Sequence, residues 1–226
     1  MRRKNSWVPI LIVVLVVIGI GFFVTGLVLR GTRDGATSAE LQKSILQIRP
    51  YDHVRGNATS TVTVVEYSDF QCSTCRQYSG VLRQLEREGV DFRLVYRHYP
   101  LNEIHAHADI AARATEAAYL QDPQAFWYMH DLIFDNQELW SDNTAAEMRN
   151  ALLSYPRLVF YRTLNANQFE RDLDSDEIRE RVLRDISDGR QLGVNSVPTF
   201  FINGERIEIP GSSEEFRSLL AQYAAQ

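Results

Sequence analysis

The chain has 226 residues, with 24 Lys and Arg against 29 Asp and Glu, a net charge of −5 and 45% hydrophobic residues. Residues 1–34 hold five basic groups and one acid, so residues 35–226 carry −9. That sign argues against a nucleic-acid partner, which needs a basic face, and against charge-driven docking on anionic lipid.

Arg2, Arg3 and Lys4 precede an uncharged stretch in which Trp7 to Leu29 is almost wholly apolar. At 1.5 Å per residue this run reaches about 34 Å, against a hydrocarbon core of about 30 Å. A cleaved leader has a shorter apolar region and a small-x-small site. Residues 1–30 are therefore expected to be a cytoplasmic tail and one uncleaved transmembrane helix. The basic residues before the span outnumber Arg30 and Arg33 behind it, which orients the remainder outside the cell. A lone cysteine pair that works as a disulfide also belongs on the oxidising side of a membrane.

Residues 31–59 are mixed and polar and are expected to form a stalk, with one short helix over Ala39 to Ile48. Asn57-Ala58-Thr59 matches a glycosylation acceptor and is taken as a chance match. Thr61 to Tyr67 is β-branched and apolar on both faces, which predicts a covered, central strand. After the only two cysteines, Cys72 and Cys75, the residues Tyr78, Val81, Leu82 and Leu85 recur at helical spacing until Gly89. Phe92 to Arg97 alternates as a second strand, ended by Pro100.

From Leu101 to Leu192 no strand signal occurs. Amphipathic segments are expected at Glu103 to Leu120, Gln124 to Phe134, Thr144 to Leu153 and Asn167 to Leu173. A further helix, capped by Ser175, carries Ile178, Val182, Leu183 and Ile186. Strand character returns at Thr199 to Ile202, and Asn203-Gly204 turns the chain into Arg206 to Ile209. Ser212 and Glu215 then form a capping box for a last helix bearing Phe216, Leu219, Leu220 and Tyr223. The fold class is α/β: a thioredoxin fold in which a helical insertion, residues 101–192, separates residues 60–100 from residues 193–226.

Cys72-Ser73-Thr74-Cys75 could bind half of a metal site, close a structural disulfide, stay inert or exchange disulfides. A tetrahedral zinc site needs four ligands, and no second cysteine pair exists. A structural disulfide gains most from closing a long loop, and this loop is very short. Redox exchange is the favoured reading. Cys72 sits where a helix begins, so unpaired N–H groups and the helix dipole favour its thiolate, while Cys75 lies one turn on and faces inward.

Several spaced motifs carry a resemblance. Val65-Glu66-Tyr67-Ser68-Asp69-Phe70-Gln71-Cys72 into Cys75, Arg97-His98-Tyr99-Pro100-Leu101, Ile104-His105, Phe126-Trp127 through Met129-His130-Asp131, and Val197-Pro198-Thr199-Phe200-Phe201-Ile202-Asn203-Gly204 resemble the DsbA-type thiol:disulfide oxidoreductases. The nearest likeness is to their membrane-anchored or lipid-anchored bacterial branch, over about residues 50 to 226. The resemblance implies disulfide exchange through Cys72 and Cys75 without a cofactor or metal. Its expected partners are reduced exported polypeptides and a quinone-linked membrane thiol reoxidase. It makes Glu66 a buried acid that moves protons at the inner cysteine, although alone a strand carboxylate can equally face solvent. It makes Pro198 a cis-proline and places the Val197 backbone beside Cys72 to pair with substrate.

Two departures from the family pattern bear on direction. Ser73 replaces the common proline and Thr74 the other intervening residue, so these two positions can offer the Cys72 sulfur hydroxyl donors, weaker than a charged histidine. Ser196-Val197 stands where many relatives show Gly-Thr, and valine there resembles the oxidising members. A reductase or isomerase, or a membrane-tethered redox-sensing or binding module on the same scaffold, remains the alternative. His105 and His107 are placed two apart on a helix and so on different sides, unable to share a metal. His98, His105 and His130 are taken as structural hydrogen-bonding groups, and Phe126, Trp127 and Tyr128 as core.

Overall fold

The structure is a computed structural model that describes residues 38–159 and 164–226. The chain divides into two units, Met1–Ile45 and Leu46–Gln226. The described part of the first is helical and belongs to α1, residues 38–46, close to the short helix expected there. The apolar run Trp7 to Leu29, with the anchor expected on it, lies outside the described residues. Among those described, no helix is long and apolar enough to cross a membrane.

The second unit is built on a five-stranded sheet of order β1-β3-β2-β4-β5. Its strands are β1 (His53–Gly56), β2 (Thr63–Ser68), β3 (Arg93–His98), β4 (Thr199–Ile202) and β5 (Glu205–Ile207). β2 runs parallel to β3, and the other pairings are antiparallel. β2 is central, as its two apolar faces predict. β1 lies inside the segment 31–59 that reads as a stalk. Its four residues, His53-Val54-Arg55-Gly56, show little apolar alternation, and its strand form comes from pairing with β3.

Helix α2 (Ser73–Arg87) joins the two parallel strands. Its buried Tyr78, Leu82 and Leu85 meet Phe216 and Leu220 of α9 (Ser213–Ala224), together with Val64, Leu94, Phe200 and Ile202 from one sheet face. Val65, Tyr67, Val95 and Phe201 belong to a second core shared with the helical segment. That segment comprises α3 (Ala108–Gln121), α4 (Ala125–Asp135), α5 (Gln137–Trp140), α6 (Ala145–Val159), α7 (Ala166–Leu173) and α8 (Asp176–Gln191). No strand occurs among its described residues. Strand, helix, strand, helical insertion, hairpin and helix is the thioredoxin-like arrangement that the sequence implies.

Local chemistry sets the element ends. The Ser175 hydroxyl accepts from the Ile178 N–H, and the Ser212 hydroxyl from the Glu215 N–H at 3.1 Å, which satisfies orphan donors at the two helix starts. The Glu215 carboxylate reaches back to the Gly211 N–H at 2.7 Å, one residue before the cap. Asn203 and Gly204 both adopt positive φ, 49° and 91°, as a tight hairpin requires. At Gly189 of α8 an added Cβ would come within 2.7 Å of the Tyr99 ring. Only glycine lets the helix approach that ring, whose hydroxyl donates to the Val194 carbonyl at 2.6 Å.

Two expectations are corrected. α3 begins at Ala108 rather than Glu103, so His105 and His107 lie in the loop before it. That loop is fixed by distant side chains, which local periodicity does not report. Phe126 is fully buried and Trp127 partly so, but Tyr128 is 59% exposed. It stands on the solvent side of α4, one residue past the buried stripe.

Candidate active site

β2 ends at Ser68 and leads into the segment 69–72, which delivers Cys72 to the position just before α2. Cys72 is the N-cap, with φ −75° and ψ 121°, and its Sγ accepts from the Cys75 N–H at 3.4 Å. Both cysteines are free thiols, Cys72 half-buried and Cys75 fully buried. The Cys75 thiol and the N–H groups of Cys75 and Thr74 donate toward the Cys72 sulfur and hold its pKa down at about 6. Burial and the negative charge of Asp69 oppose this shift without cancelling it. Burial pushes the Cys75 thiol well above the ordinary range, reinforced by the sulfur and carboxylate beside it. One sulfur is therefore poised as a thiolate and the other is kept protonated.

Ser73 and Thr74 are both exposed. The donors that reach Cys72 are backbone groups and the Cys75 thiol, not the two hydroxyls that the sequence suggests. Helix-start geometry provides N–H groups whatever the intervening side chains are.

Val197 and Pro198 come to this sulfur from the other end of the chain. The Val197–Pro198 bond is cis. The Val197 carbonyl lies 3.7 Å from Cys72 Sγ, within sulfur hydrogen-bonding reach. Glu66, three strand positions from the sheet end, is 1% exposed, which settles its orientation as inward. It pairs in register with Tyr96 on the face that α2 covers. Burial pushes its carboxyl up to about 7, against the partial relief of Arg55. Glu66 Oε1, Ser68 Oγ and Tyr96 Oη are buried with no hydrogen-bond partner among the described residues. Such orphaned polar atoms are uncommon and tend to mark working sites.

The 69–72 segment is held by Asp69 and Gln71, to which the motifs assign no role, and by Gln137, which lies outside them. Asp69 is fully buried and accepts from the Gln71 N–H at 2.7 Å, the Leu101 N–H at 2.8 Å and His105 Nδ1 at 2.8 Å. Gln137 of α5 donates through Nε2 to the Phe70 carbonyl at 2.6 Å and the Cys72 carbonyl at 3.0 Å. The Gln71 amide bridges the Ser141 carbonyl and the His107 N–H. The helical insertion thus clamps the cysteine loop. An aspartate three residues before an N-cap was the one local signal for this, as a residue type that bonds nearby backbone.

The remaining histidines are structural. His130 Nδ1 pairs with Asp131 at 2.8 Å, and burial lowers its pKa to about 4. His53 and His98 meet Glu116 at 2.6 and 3.1 Å, with ligand atoms close enough for a metal ion. The donor set fits an ion-paired cluster better. Arg181 already lies 3.6 Å from the second carboxylate oxygen, and His53 Nδ1 and His98 Nδ1 lack the partners that orient metal-bound imidazoles.

A half-exposed thiolate at a helix start, a buried thiol one turn on and a cis-proline next to the Val197 carbonyl thus meet at one end of this thioredoxin-like sheet. A thioredoxin family model matches residues 49–222, and the chain belongs to that family.

Three solved structures illustrate the likeness. A thioredoxin-like oxidoreductase from Silicibacter pomeroyi superposes with TM-score 0.64 at 25% identity, covering 79% of this chain and 95% of its own. DsbA2 of Pseudomonas aeruginosa gives 0.59 at 25% identity, covering 80% and 97%. Oxidised BdbD of Bacillus subtilis gives 0.67 at 18% identity, covering 77% and 94%, a likeness of fold. Among curated proteins, the Na(+)/H(+) antiporter NhaA 1 of Salinispora arenicola is 38% identical over 156 residues, 69% of this chain and 22% of that protein. NhaA 3 of Salinispora tropica is 38% identical over 164 residues, 72% and 23%. The chain spans less than a quarter of the length of these relatives.

Proposed function

We propose that this oxidoreductase introduces disulfides into exported proteins, from a membrane anchor at residues 1–30 and with its catalytic unit outside the cytoplasm. The observation that carries the reading is the Cys72 sulfur held as a thiolate by the start of α2. A stabilised thiolate favours the reduced form of the pair, which makes the disulfide form a strong oxidant.

A substrate thiolate attacks Cys72 Sγ of the disulfide, and the S–S bond breaks toward Cys75. Cys75 leaves as a thiolate and takes up a proton, because burial makes the neutral thiol its stable form. Glu66, carrying its proton up to about pH 7, is the donor on that face of the sheet. A second substrate thiolate then attacks the substrate sulfur of the mixed disulfide and expels Cys72 as a thiolate. The substrate leaves oxidised by two electrons, and the protein holds them as a dithiol. A membrane thiol reoxidase of the quinone-linked type removes them. The Val197 backbone beside Cys72 offers an edge on which an extended substrate can pair, the usual mode of peptide capture at a sheet edge. Of the two exposed intervening residues, Thr74 contributes through its backbone N–H.

The apolar N-terminal run and the single cysteine pair support the location. The second reading is a reductase or isomerase, favoured by the absence of an imidazole between the cysteines. The reduction potential separates the two. A value near about −120 mV fits the oxidase, and one near about −270 mV, that of thioredoxin, overturns it in favour of reduction.

A further inference from the structure

Asp69 and His105 form a pair that the disulfide chemistry above does not use. The Asp69 carboxyl is 1% exposed and lies three residues before Cys72. Among the described residues, three N–H groups converge on it, from Gln71, Leu101 and His105, and no acceptor does. That pattern is satisfied by an ionised carboxylate. Its own backbone carbonyl accepts from the Cys72 N–H at 3.2 Å, so it belongs to the same turn as the sulfur. A buried negative charge beside a thiolate opposes it, and its field is weakly screened because water is excluded. Among its described partners, the one with a solvent-exposed side chain is His105, whose ring is 21% exposed.

We propose that Asp69 and His105 act as a positioning pair that sets the reduction potential of the cysteine pair: the Asp69 charge restrains the Cys72 thiolate, and the His105 hydrogen bond moderates that restraint. The inference rests on reading Cys72 as the reacting sulfur. Asp69 is among the influences that raise the Cys72 pKa. The other groups around the sulfur are Cys75 and Thr74 from α2, Glu66 from β2 and the Val197 carbonyl before β4. Arg76 of α2 is paired to exposed Glu138 at 2.5 Å. None of these bonds to Asp69.

The pair makes opposite predictions for its two members, which a merely structural clamp does not. Asp69→Asn keeps the shape, removes the charge and is expected to lower the Cys72 pKa by about one unit, tenfold in thiol dissociation. The reduction potential moves in the oxidising direction with it. His105→Ala leaves the carboxylate and removes its donor, so the Cys72 pKa is expected to rise and the potential to fall. In the Asp69→Asn background the same His105 change is expected to do nothing further.

The experiment uses the full-length chain, reduced. Thiolate absorbance near 240 nm is titrated for wild type, the two single variants and the double variant, with potentials from glutathione equilibria. Melting curves record whether each variant folds, and Asp69→Glu, which restores the charge, is expected to return the titration toward wild type. Equal and same-sign shifts for both single variants, or no shift for Asp69→Asn in a folded protein, would overturn the proposal. A wild-type midpoint near about 9 would instead sink the reading of Cys72 itself.

Discussion

Cys72→Ser is expected to reduce disulfide exchange to the background of the assay, while Cys75→Ala is expected to accumulate mixed disulfides that do not resolve. The two sulfurs differ in exposure and charge, so the losses differ in kind. Cys72 is half-buried, poised as a thiolate and 3.7 Å from the Val197 carbonyl where a substrate chain can lie. Serine at that position has no sulfur for the first exchange. Folding is expected to survive, because serine nearly matches the size of this half-buried side chain at the core's margin, and the change is expected to cost less than about 1 kcal/mol. Cys75 is fully buried, and its truncation is expected to cost about 1 kcal/mol. The variant cannot form the intramolecular disulfide, so its Cys72 thiolate captures a protein by attacking that protein's disulfide, and without Cys75 no neighbouring thiol is present to break the mixed disulfide again. Trapping with Cys75→Ala also tests breadth: many exported proteins caught on Cys72 fit an oxidase, and a single partner fits a tethered sensor.

The second large effect belongs to Glu66, and it moves stability and turnover in opposite directions. Burial raises the native carboxyl from 4.5 to about 7. Unfolded chains ionise this group near the ordinary value, so between pH 4.5 and 7 the unfolded state loses a proton that the native state still holds. The stabilisation from the neutral acid is complete below about pH 4.5 and is lost as pH rises through about 7. A separation of this size corresponds to about 3 kcal/mol. Glu66→Gln keeps the shape without the titration. Relative to wild type it is expected to gain about 3 kcal/mol between pH 4 and pH 8, measured by urea unfolding of the reduced protein. Turnover is expected to slow, because protonation of the leaving Cys75 then lacks its nearest donor. An unchanged difference between the two pH values would remove the buried, protonated acid from the account.

The parts of the site written as local motifs were legible in the sequence. Cys72 and Cys75 stand at a strand-to-helix junction that hydrophobic periodicity marks from both sides, and Val197-Pro198 precedes an unmistakable strand and Asn-Gly turn. Ser175 and Ser212 announce their helices in the same way. What stayed hidden depends on contacts between residues far apart in the chain. β1 is a four-residue edge strand made by pairing with β3, and α5 is a single turn with no period to read. The start of α3 was placed five residues early, because Leu101 and His105 are tied to Asp69, and His107 to Gln71. Gln137 reaches the Cys72 carbonyl across 65 positions, and no local pattern ties that amide to a cysteine. Glu66 could be placed on a strand, but only the sheet and α2 together decide that it faces inward.

The central claim is that the structure separates two chemically identical thiols into an exposed thiolate and a buried thiol. Alkylation of the reduced protein with iodoacetamide across pH 4 to 10, located by mass spectrometry, tests it directly. A single adduct on Cys72 with a rate midpoint of about 6, and Cys75 left unmodified while the protein is folded, is the predicted result. Equal labelling of both cysteines, or a Cys72 midpoint near about 9, would contradict it.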